Sequence, residues 1–212
     1  MDNNVEWHRH ILLESVAQRL QKNNFIVTVA DTAAVSVQRI LDLVEPSELV
    51  GFGGSVTVNQ IGLIEKFEER AQAMLSQKPG MPRAEVLKLR RQSLLADVFI
   101  ASPNAVTADG KLMFVDGIGN RAAAMLYGPK KVIAVAGWNK IVADEAAGRV
   151  RIDSYTAPVN AKRLGKKTPC AETGKCVDCS SPERICNIAV TLMKKPTYTE
   201  YYVILVAEAL GY

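Results

Sequence analysis

Short apolar runs alternate with amphipathic helical stretches along most of this 212-residue chain. Several runs, such as 132–136 (VIAVA), are apolar at every position, which is typical of strands that are buried on both faces. Because strands that alternate with helices form parallel sheets covered by those helices, we predict an α/β fold with a mostly parallel sheet and helices on both faces. The length fits a single domain over residues 1–212.

The spacing of apolar residues and the turn residues between them define the predicted elements. We predict helices over 5–22, 32–44, 56–64, 83–96, 118–127, 142–150 and 158–164, and a further polar helical stretch over 65–76. We predict strands over 25–29, 48–52, 97–102, 131–136, 188–193 and 202–206, and a hairpin of 104–107 with 111–115 around Asp109-Gly110. Ligands bind at the carboxyl ends of parallel strands, so the candidate crevice is formed by the loops 52–57, 102–110, 116–121 and 137–140.

The composition excludes some classes of function. The net charge of +4 does not require a nucleic-acid partner, and 6% aromatic residues argue against a stacking platform for single strands. The longest apolar runs fall far short of the roughly 20 residues of a membrane helix. The N-terminus carries polar and charged residues where a signal peptide would be apolar. We therefore expect a cytoplasmic protein with neither a nucleic-acid nor a membrane partner.

All four cysteines lie in a window of 17 residues, within a loop at 162–187 that shows little periodicity: Cys170, Cys176, Cys179 and Cys186. Four thiolates are a complete ligand set for an iron–sulfur cluster or a tetrahedral zinc ion. Zinc sites usually show two closely spaced pairs and this loop has only one, so we favour one [4Fe–4S] cluster over zinc. Disulfides or free thiols are the third interpretation, and disulfides fit a reducing cytosol poorly.

A glycine-rich turn, Gly51-Phe52-Gly53-Gly54-Ser55, follows a predicted strand and precedes a predicted helix. Glycines let backbone amides approach a ligand, and a helix N-terminus favours an anion. Ser55 and Thr57 add hydroxyl groups. The candidate ligand residues here are Gly53, Gly54, Ser55 and Thr57, and the alternative is a tight turn in which Ser55 caps the helix.

Two further strand ends supply polar candidates. Asn104 and Thr107 follow the strand at 97–102, with ordinary turn chemistry as the alternative. Lys140 follows the strand at 131–136 and is either an anion contact or an exposed lysine at a helix start. No nucleophile with a neighbouring base is visible in these loops, so we assign no catalytic residue.

The glycines before the helix at 118–127 precede Asn120 and Arg121. A guanidinium binds a carboxylate or phosphate through two hydrogen bonds, which makes Arg121 a candidate anion contact. The alternative is a salt bridge from Arg121 to Asp116 or Asp97.

These segments resemble the LUD-domain (lactate utilisation) family, in a branch that carries cysteines. The matching segments are GGS at 53–55, ASPNAVTADGKL from 101, GNR at 119–121, GPKKVIAVAGWNKIV from 128 and PCAETGKCVDCSSPERICN from 169. The resemblance implies a fold similar to ribose-5-phosphate isomerases and CoA transferases. It also implies an accessory or electron-transfer role in lactate or organic-acid utilisation, as an oxidoreductase component that binds a small anionic metabolite and works with iron–sulfur redox partner proteins.

In folds of this kind the glycine turn binds phosphate or nucleotide-like ligands. By resemblance, that role falls on Gly53, Gly54, Ser55, Asn104, Thr107, Asn120 and Arg121. The chain has no clear counterpart of the glutamate nucleophile of CoA transferases, so we do not expect transferase activity. Related folds often self-associate, so a homo-oligomer is allowed.

Two other functions stay open at this point. One is a phosphosugar- or nucleotide-binding enzyme of the isomerase-like class with a structural zinc. The other is a regulatory binding protein whose cysteine loop docks a partner or senses redox state. Whether the chain catalyses a reaction by itself is also left open.

Overall fold

Two β-sheets form the framework of the structure, a computed structural model that describes residues 2–212. The strands are β1 (Ile26–Ala30), β2 (Val50–Phe52), β3 (Met74–Leu75), β4 (Val98–Ala101), β5 (Ala105–Thr107), β6 (Leu112–Asp116), β7 (Lys131–Gly137), β8 (Ile141–Val142), β9 (Ile188–Leu192) and β10 (Glu200–Val206). The main sheet has six strands in the order β1-β10-β7-β4-β2-β3, and all its pairings are parallel. The predicted α/β fold with a mostly parallel sheet is confirmed.

Helices lie between many of these strands, because parallel strands need a long crossover connection, which is usually a helix. They are α1 (Asn3–Lys22), α2 (Ala33–Leu43), α3 (Val56–Gln60), α4 (Leu63–Glu69), α5 (Arg83–Gln92), α6 (Asn120–Leu126), α7 (Glu145–Arg151), α8 (Ala157–Arg163) and α9 (Pro169–Thr173). Short 3₁₀ turns occupy Ser93–Leu95 and Trp138–Lys140, and a π-helical turn occupies Ile152–Thr156. Within residues 2–212, none of these helices has the length and apolar character needed to cross a membrane.

The main sheet is buried on both faces because alternate residues of each strand point in opposite directions. In β7, Val132 and Ala134 pack with α1 and α6, whereas Ile133 and Val135 pack with α2, α3 and α4. All four side chains are fully buried. Two apolar layers therefore cover the central strands, which explains why their sequences are apolar at every position.

The smaller sheet has the order β8-β5-β6-β9 and packs beside the main sheet. β5 and β6 form the predicted antiparallel hairpin, and Gly110 in its turn has a positive φ of 84°. β9 pairs antiparallel with β6, in the register Asp116↔Ile188. The two late strands thus belong to different sheets: β9 extends the small sheet, and β10 is inserted between β1 and β7 of the main one.

Several predicted helices differ from the observed elements. The helix predicted over 56–64 is broken at Gly62, whose left-handed φ of 69° starts α4 instead. The stretch predicted as helical over 65–76 ends at Glu69 and is followed by the short strand β3. The helix predicted from 142 starts only at Glu145, because residues 141–142 pair with β5.

One continuous helical rod runs from α7 through the π turn Ile152–Thr156 into α8. The sequence pattern predicts two separate helices here, over 142–150 and 158–164. Pro158 has no backbone N–H, so it cannot donate to the carbonyl four residues earlier as an α-helix requires. The π turn ends at Thr156, two residues before this proline, and the helix continues through Pro158 to Arg163.

One of the two apolar layers on the main sheet is formed with α1 and α6. Phe99 on β4 is 1% exposed and lies in this layer. We expect Phe99→Ala to lower the free energy of unfolding by about 3–5 kcal/mol, because it removes buried apolar surface and leaves a cavity. Urea denaturation followed by circular dichroism would measure this.

Trp7→Ala is the matched control, since Trp7 is 64% exposed on α1. Its free energy of unfolding should stay within about 0.5 kcal/mol of the parent value. Equal losses in the two variants would contradict this description of the core.

Candidate functional site: a basic cleft beside the cysteine segment

A cleft lies where β2, β4, β7 and β10 end, at the carboxyl edge of the main sheet. These strands are neighbours and run parallel, so the loops that follow them meet at one edge. The cleft contains about 340 Å³ of space, part of it open to solvent. Its lining residues are Gly54, Ser55, Val56, Thr57, Ser102, Pro103, Asn104, Arg121, Lys140, Thr156, Asn160, Arg163 and Tyr212. Six of the predicted ligand residues are among them: Gly54, Ser55, Thr57, Asn104, Arg121 and Lys140.

The glycine turn after β2 forms one wall of the cleft. Ser55 Oγ accepts a hydrogen bond of 3.3 Å from the backbone N–H of Val58, so Ser55 is the N-cap of α3. Gly53 lies behind the wall, because a Cβ at this position would come within 3.1 Å of Arg121 Cγ. The turn is therefore shaped both by helix capping and by close packing against Arg121.

Arg121 is held by protein groups on several sides. Its Nε donates to Asp116 Oδ1 at 2.9 Å, and its Nη1 donates to the Ser102 carbonyl at 2.8 Å. Its Nη2 donates to Asn104 Oδ1 at 2.6 Å and to the Val115 carbonyl at 3.0 Å. The predicted salt bridge to Asp116 is present, whereas Asp97 pairs with Lys130 instead. These bonds make Arg121 a fixed part of the cleft wall.

Lys140 is the most buried charged side chain of the cleft, with 2% exposure. Its Nζ donates to Ser102 Oγ at 2.8 Å, to Thr57 Oγ1 at 2.9 Å and to the Pro103 carbonyl at 3.3 Å. All three partners are neutral. Of the two alternatives that the sequence allowed, an exposed lysine at a helix start is therefore wrong.

The surroundings of Lys140 disfavour its positive charge. Burial lowers the pKa of this amine well below its ordinary value of 10.5, and the charges of Arg151 and Arg121 lower it further. Arg151 Nη1 donates to the Asn104 carbonyl at 2.8 Å, and its Nε donates to the Asn139 carbonyl at 3.2 Å. No Asp or Glu side chain is among the described residues that line the cleft. The amine is thus biased towards its neutral form.

The helical rod and the last residues supply cleft positions that sequence reasoning missed. Thr156, Asn160 and Arg163 come from the rod, and Tyr212 follows β10. Arg163 donates to Asn160 Oδ1 at 2.8 Å and is exposed. We predicted a helix here, but no local pattern indicates which of its residues face the crevice.

Three predicted ligand residues are not among those that line the cleft. Gly53 packs behind the wall, as described above. Thr107 bonds to Asp109 and accepts from the Lys111 backbone N–H at 2.9 Å, so it stabilises the hairpin turn. Asn120 is the first residue of α6. The observed contacts of Thr107 are those of a turn residue, which was the alternative to a ligand contact.

The cysteine segment runs from α9 to the start of β9. All four cysteines are free thiols that are partly exposed. Burial raises the pKa of the Cys186 thiol; the charge of Arg184 opposes this, and the other three cysteines raise it further. The four sulfurs are therefore near enough for their charges to interact. Across residues 2–212, no three His, Cys, Asp or Glu side chains are already arranged as a set of metal ligands.

The cleft and the cysteine segment are adjacent. A second, smaller pocket shares Asn104, Thr156 and Asn160 with the cleft and reaches Ile185, the residue before Cys186. A Cβ on Gly117 would come within 3.1 Å of Ile185 Cα, so the segment packs closely on the β6–α6 loop. Within the described residues, no cysteine lines either of these two pockets, but the cleft and the cysteine segment lie side by side.

The lowered pKa of Lys140 makes stability depend on pH. The unfolded chain binds a proton at this amine up to its ordinary pKa of 10.5, whereas the folded chain releases it at a lower pH. Since the unfolded state binds more protons within this window, the free energy of unfolding rises with pH there. We expect Lys140→Met to remove this part of the rise, in urea titrations between about pH 7 and about pH 10.

Lys130→Met is the control for that measurement, because the Lys130 side chain is 87% exposed. It should keep the pH dependence of the parent protein. The same pH dependence in the parent and in Lys140→Met would show that the amine is ordinarily charged in the folded state.

Comparisons with known proteins place this fold in a family. The sequence model of the LUD domain matches residues 13–206. A solved structure with a similar fold is the DUF162 family protein from Deinococcus radiodurans, with a TM-score of 0.54 and 14% identity over 93% of this chain and 97% of that one. No curated protein sequence matches the chain. The family match covers most of the chain, and we conclude that this protein belongs to the LUD-domain family.

Proposed function

We propose that this LUD-domain protein is an accessory or electron-transfer component of lactate or related organic-acid utilisation. It binds a small carboxylate anion in the cleft and one metal centre, a [4Fe–4S] cluster, at Cys170, Cys176, Cys179 and Cys186. The observation that carries the proposal is the pocket that joins the cleft to Ile185, next to Cys186. A redox centre beside a ligand site is the arrangement that electron transfer to or from that ligand needs.

The charge of the cleft supports an anionic ligand. Two arginines contribute positive charge, since Arg163 lines the cleft and Arg151 lies close to Lys140, and no Asp or Glu is among the described lining residues. The charge of Arg121 is balanced by Asp116, which leaves the other cations without a carboxylate in the cleft. An excess of cations in a partly buried site attracts and holds an anion. Arg163, which is exposed, can move onto a ligand carboxylate and bind it through two hydrogen bonds.

The donor chemistry of the cysteine segment supports a metal centre. Four free thiols on one segment match the ligand set of a cluster or of zinc, although no three of them are already arranged around one point. Ligand cysteines bind as thiolates, so their summed negative charge must be balanced. Arg149 interacts with the charges of Cys176 and Cys186, and Arg184 with those of Cys186 and Cys179. Arg149 also pairs with Asp153 and Arg184 with Asp178, so these two arginines offset only part of that charge.

Hydrogen bonds also organise the cysteine segment. Arg184 donates to the Cys179 carbonyl at 2.6 Å and to the Cys186 carbonyl at 3.3 Å, which ties two turns of the segment together. The Asp178 backbone N–H donates to Cys176 Sγ at 3.4 Å. Donors to sulfur favour the thiolate and tune its electron density. When bound, a cluster would supply one-electron chemistry at a potential set by these groups.

The metal centre is tested by purifying the protein without oxygen. We expect a brown protein that contains iron and sulfide and whose visible absorption is bleached by dithionite. Cys176→Ser and Cys179→Ser should lose the colour, because each removes one thiolate ligand. Ser180→Ala is the matched control in the same segment and should stay brown.

Zinc in the purified protein in place of iron would contradict the electron-transfer role and favour a structural zinc. If the folded protein contains neither iron nor zinc, the proposal of a metal centre is wrong.

The anion site is tested by calorimetric titration with lactate and with pyruvate. Arg163→Gln should weaken binding by about 10- to 100-fold, since it removes charged hydrogen bonds to the carboxylate. Arg39→Gln is the matched control, because Arg39 is exposed on α2 and does not line the cleft. If the protein binds a sugar phosphate tightly and binds neither lactate nor pyruvate, the isomerase-like class of enzyme is favoured instead.

A further inference from the structure

The amine of Lys140 combines three properties that are seldom found together. It is almost completely buried, it lines a cleft, and each of its hydrogen-bond partners is a hydroxyl or a backbone carbonyl. A buried lysine is usually paired with a carboxylate that keeps it charged. Here the nearby charged groups are Arg151 and Arg121, which are cations. Such surroundings favour a neutral amine with a free electron pair, as in lysines that react with carbonyl groups.

Lys131 shows the contrasting arrangement in the same protein. Its side chain is 14% exposed, and its Nζ lies 3.0 Å from both carboxylate oxygens of Glu48. It also donates to the Leu43 carbonyl at 2.7 Å. This lysine has the counter-charge that Lys140 lacks, so burial alone does not account for the surroundings of Lys140.

We propose that Lys140 is a nucleophile that forms an imine with a 2-oxo acid bound in the cleft. The inference rests on the proposed anion site, because the carboxylate of the 2-oxo acid occupies that site while its carbonyl carbon faces the amine. It goes beyond the proposed function in assigning a covalent step to a residue of this chain. It also specifies the ligand as an acid with a carbonyl next to its carboxylate.

The reaction needs no oxidant or reductant. The Lys140 nitrogen forms a bond to the carbonyl carbon, the C=O π bond breaks, and one amine proton moves to the carbonyl oxygen to give a carbinolamine. This oxygen then takes the second proton from nitrogen and leaves as water, as the C=N double bond forms. Each atom of the amine and the 2-oxo acid is found in the imine or in the released water.

Two hydroxyl groups are placed to move these protons. Ser102 Oγ lies 2.8 Å from the Lys140 amine and Thr57 Oγ1 lies 2.9 Å from it. A hydroxyl accepts one proton while it donates another, so either can carry a proton from nitrogen to the departing oxygen. Both side chains are buried and line the cleft, so these hydroxyls can act with little competition from bulk water.

The test traps the imine chemically. The full-length protein is incubated with pyruvate, reduced with sodium borohydride, digested and mapped by mass spectrometry. Hydride reduction turns an imine into a stable secondary amine, so we expect a reduced pyruvate adduct on Lys140 and none on Lys131. Lactate, which has the same carboxylate and no carbonyl, should give no adduct after the same treatment.

Lys140→Arg keeps a long basic side chain but has no amine that forms an imine, so the adduct should be lost. Circular dichroism shows whether this variant is folded. If it is not, the position of the adduct among the lysines of the parent protein still tests the proposal. Labelling of exposed lysines such as Lys130 to the same extent as Lys140 would overturn the proposal.

Calorimetry with lactate separates this inference from the proposed function. Binding of lactate without any pyruvate adduct would overturn the imine and leave the anion site in place. Absence of both binding and adduct would overturn the two together.

Discussion

The buried ion pair of Arg121 and Asp116 connects the main parts of this structure. Arg121 bonds to the segment after β4 and to the end of β6, so it holds the small sheet against the carboxyl edge of the main sheet. Asp116 also accepts from the Ala122 backbone N–H at 2.7 Å, and its carbonyl accepts from the backbone N–H of Asn187. A pair with so little exposure is stable only when its remaining hydrogen-bonding groups are satisfied, and here they are. The cleft wall, the small sheet and the cysteine segment therefore share one electrostatic anchor.

The other cations of the cleft are arranged quite differently. Arg151 and Lys140 bond to carbonyl and hydroxyl groups, and the charge of Arg151 lies near the buried Lys140 amine and disfavours its protonation. Such an arrangement costs folding free energy, because neither burial nor repulsion is offset by a carboxylate. Sites that keep an unfavourable arrangement of this kind are most often functional. The contrast with Arg121 separates the cations that build the fold from those that are left for a ligand.

The sequence predicted the parts of the structure that depend on local pattern. The apolar strands, the Asp109-Gly110 hairpin and the loops after β2, β4 and β7 follow from periodicity and turn residues. Whether Lys140 is exposed depends on what packs over it, which no local pattern specifies. The position of the cysteine segment depends on the pairing of β9 with β6, since this register brings Ile185, the residue before Cys186, to the second pocket. Contacts between distant parts of the chain thus account for most of what was missed.

The π turn before Pro158 has a geometric consequence for the cleft. A π turn holds one more residue than an α turn, so the helix beyond it is rotated by about 100° relative to an unbroken α-helix. Asn160 and Arg163 lie beyond this turn and face the cleft. Their direction is therefore set by the number of residues in 152–156 as well as by their own identity. Deletion of one residue from this turn would leave Asn160 and Arg163 in the sequence. Their side chains would nevertheless point away from the ligand.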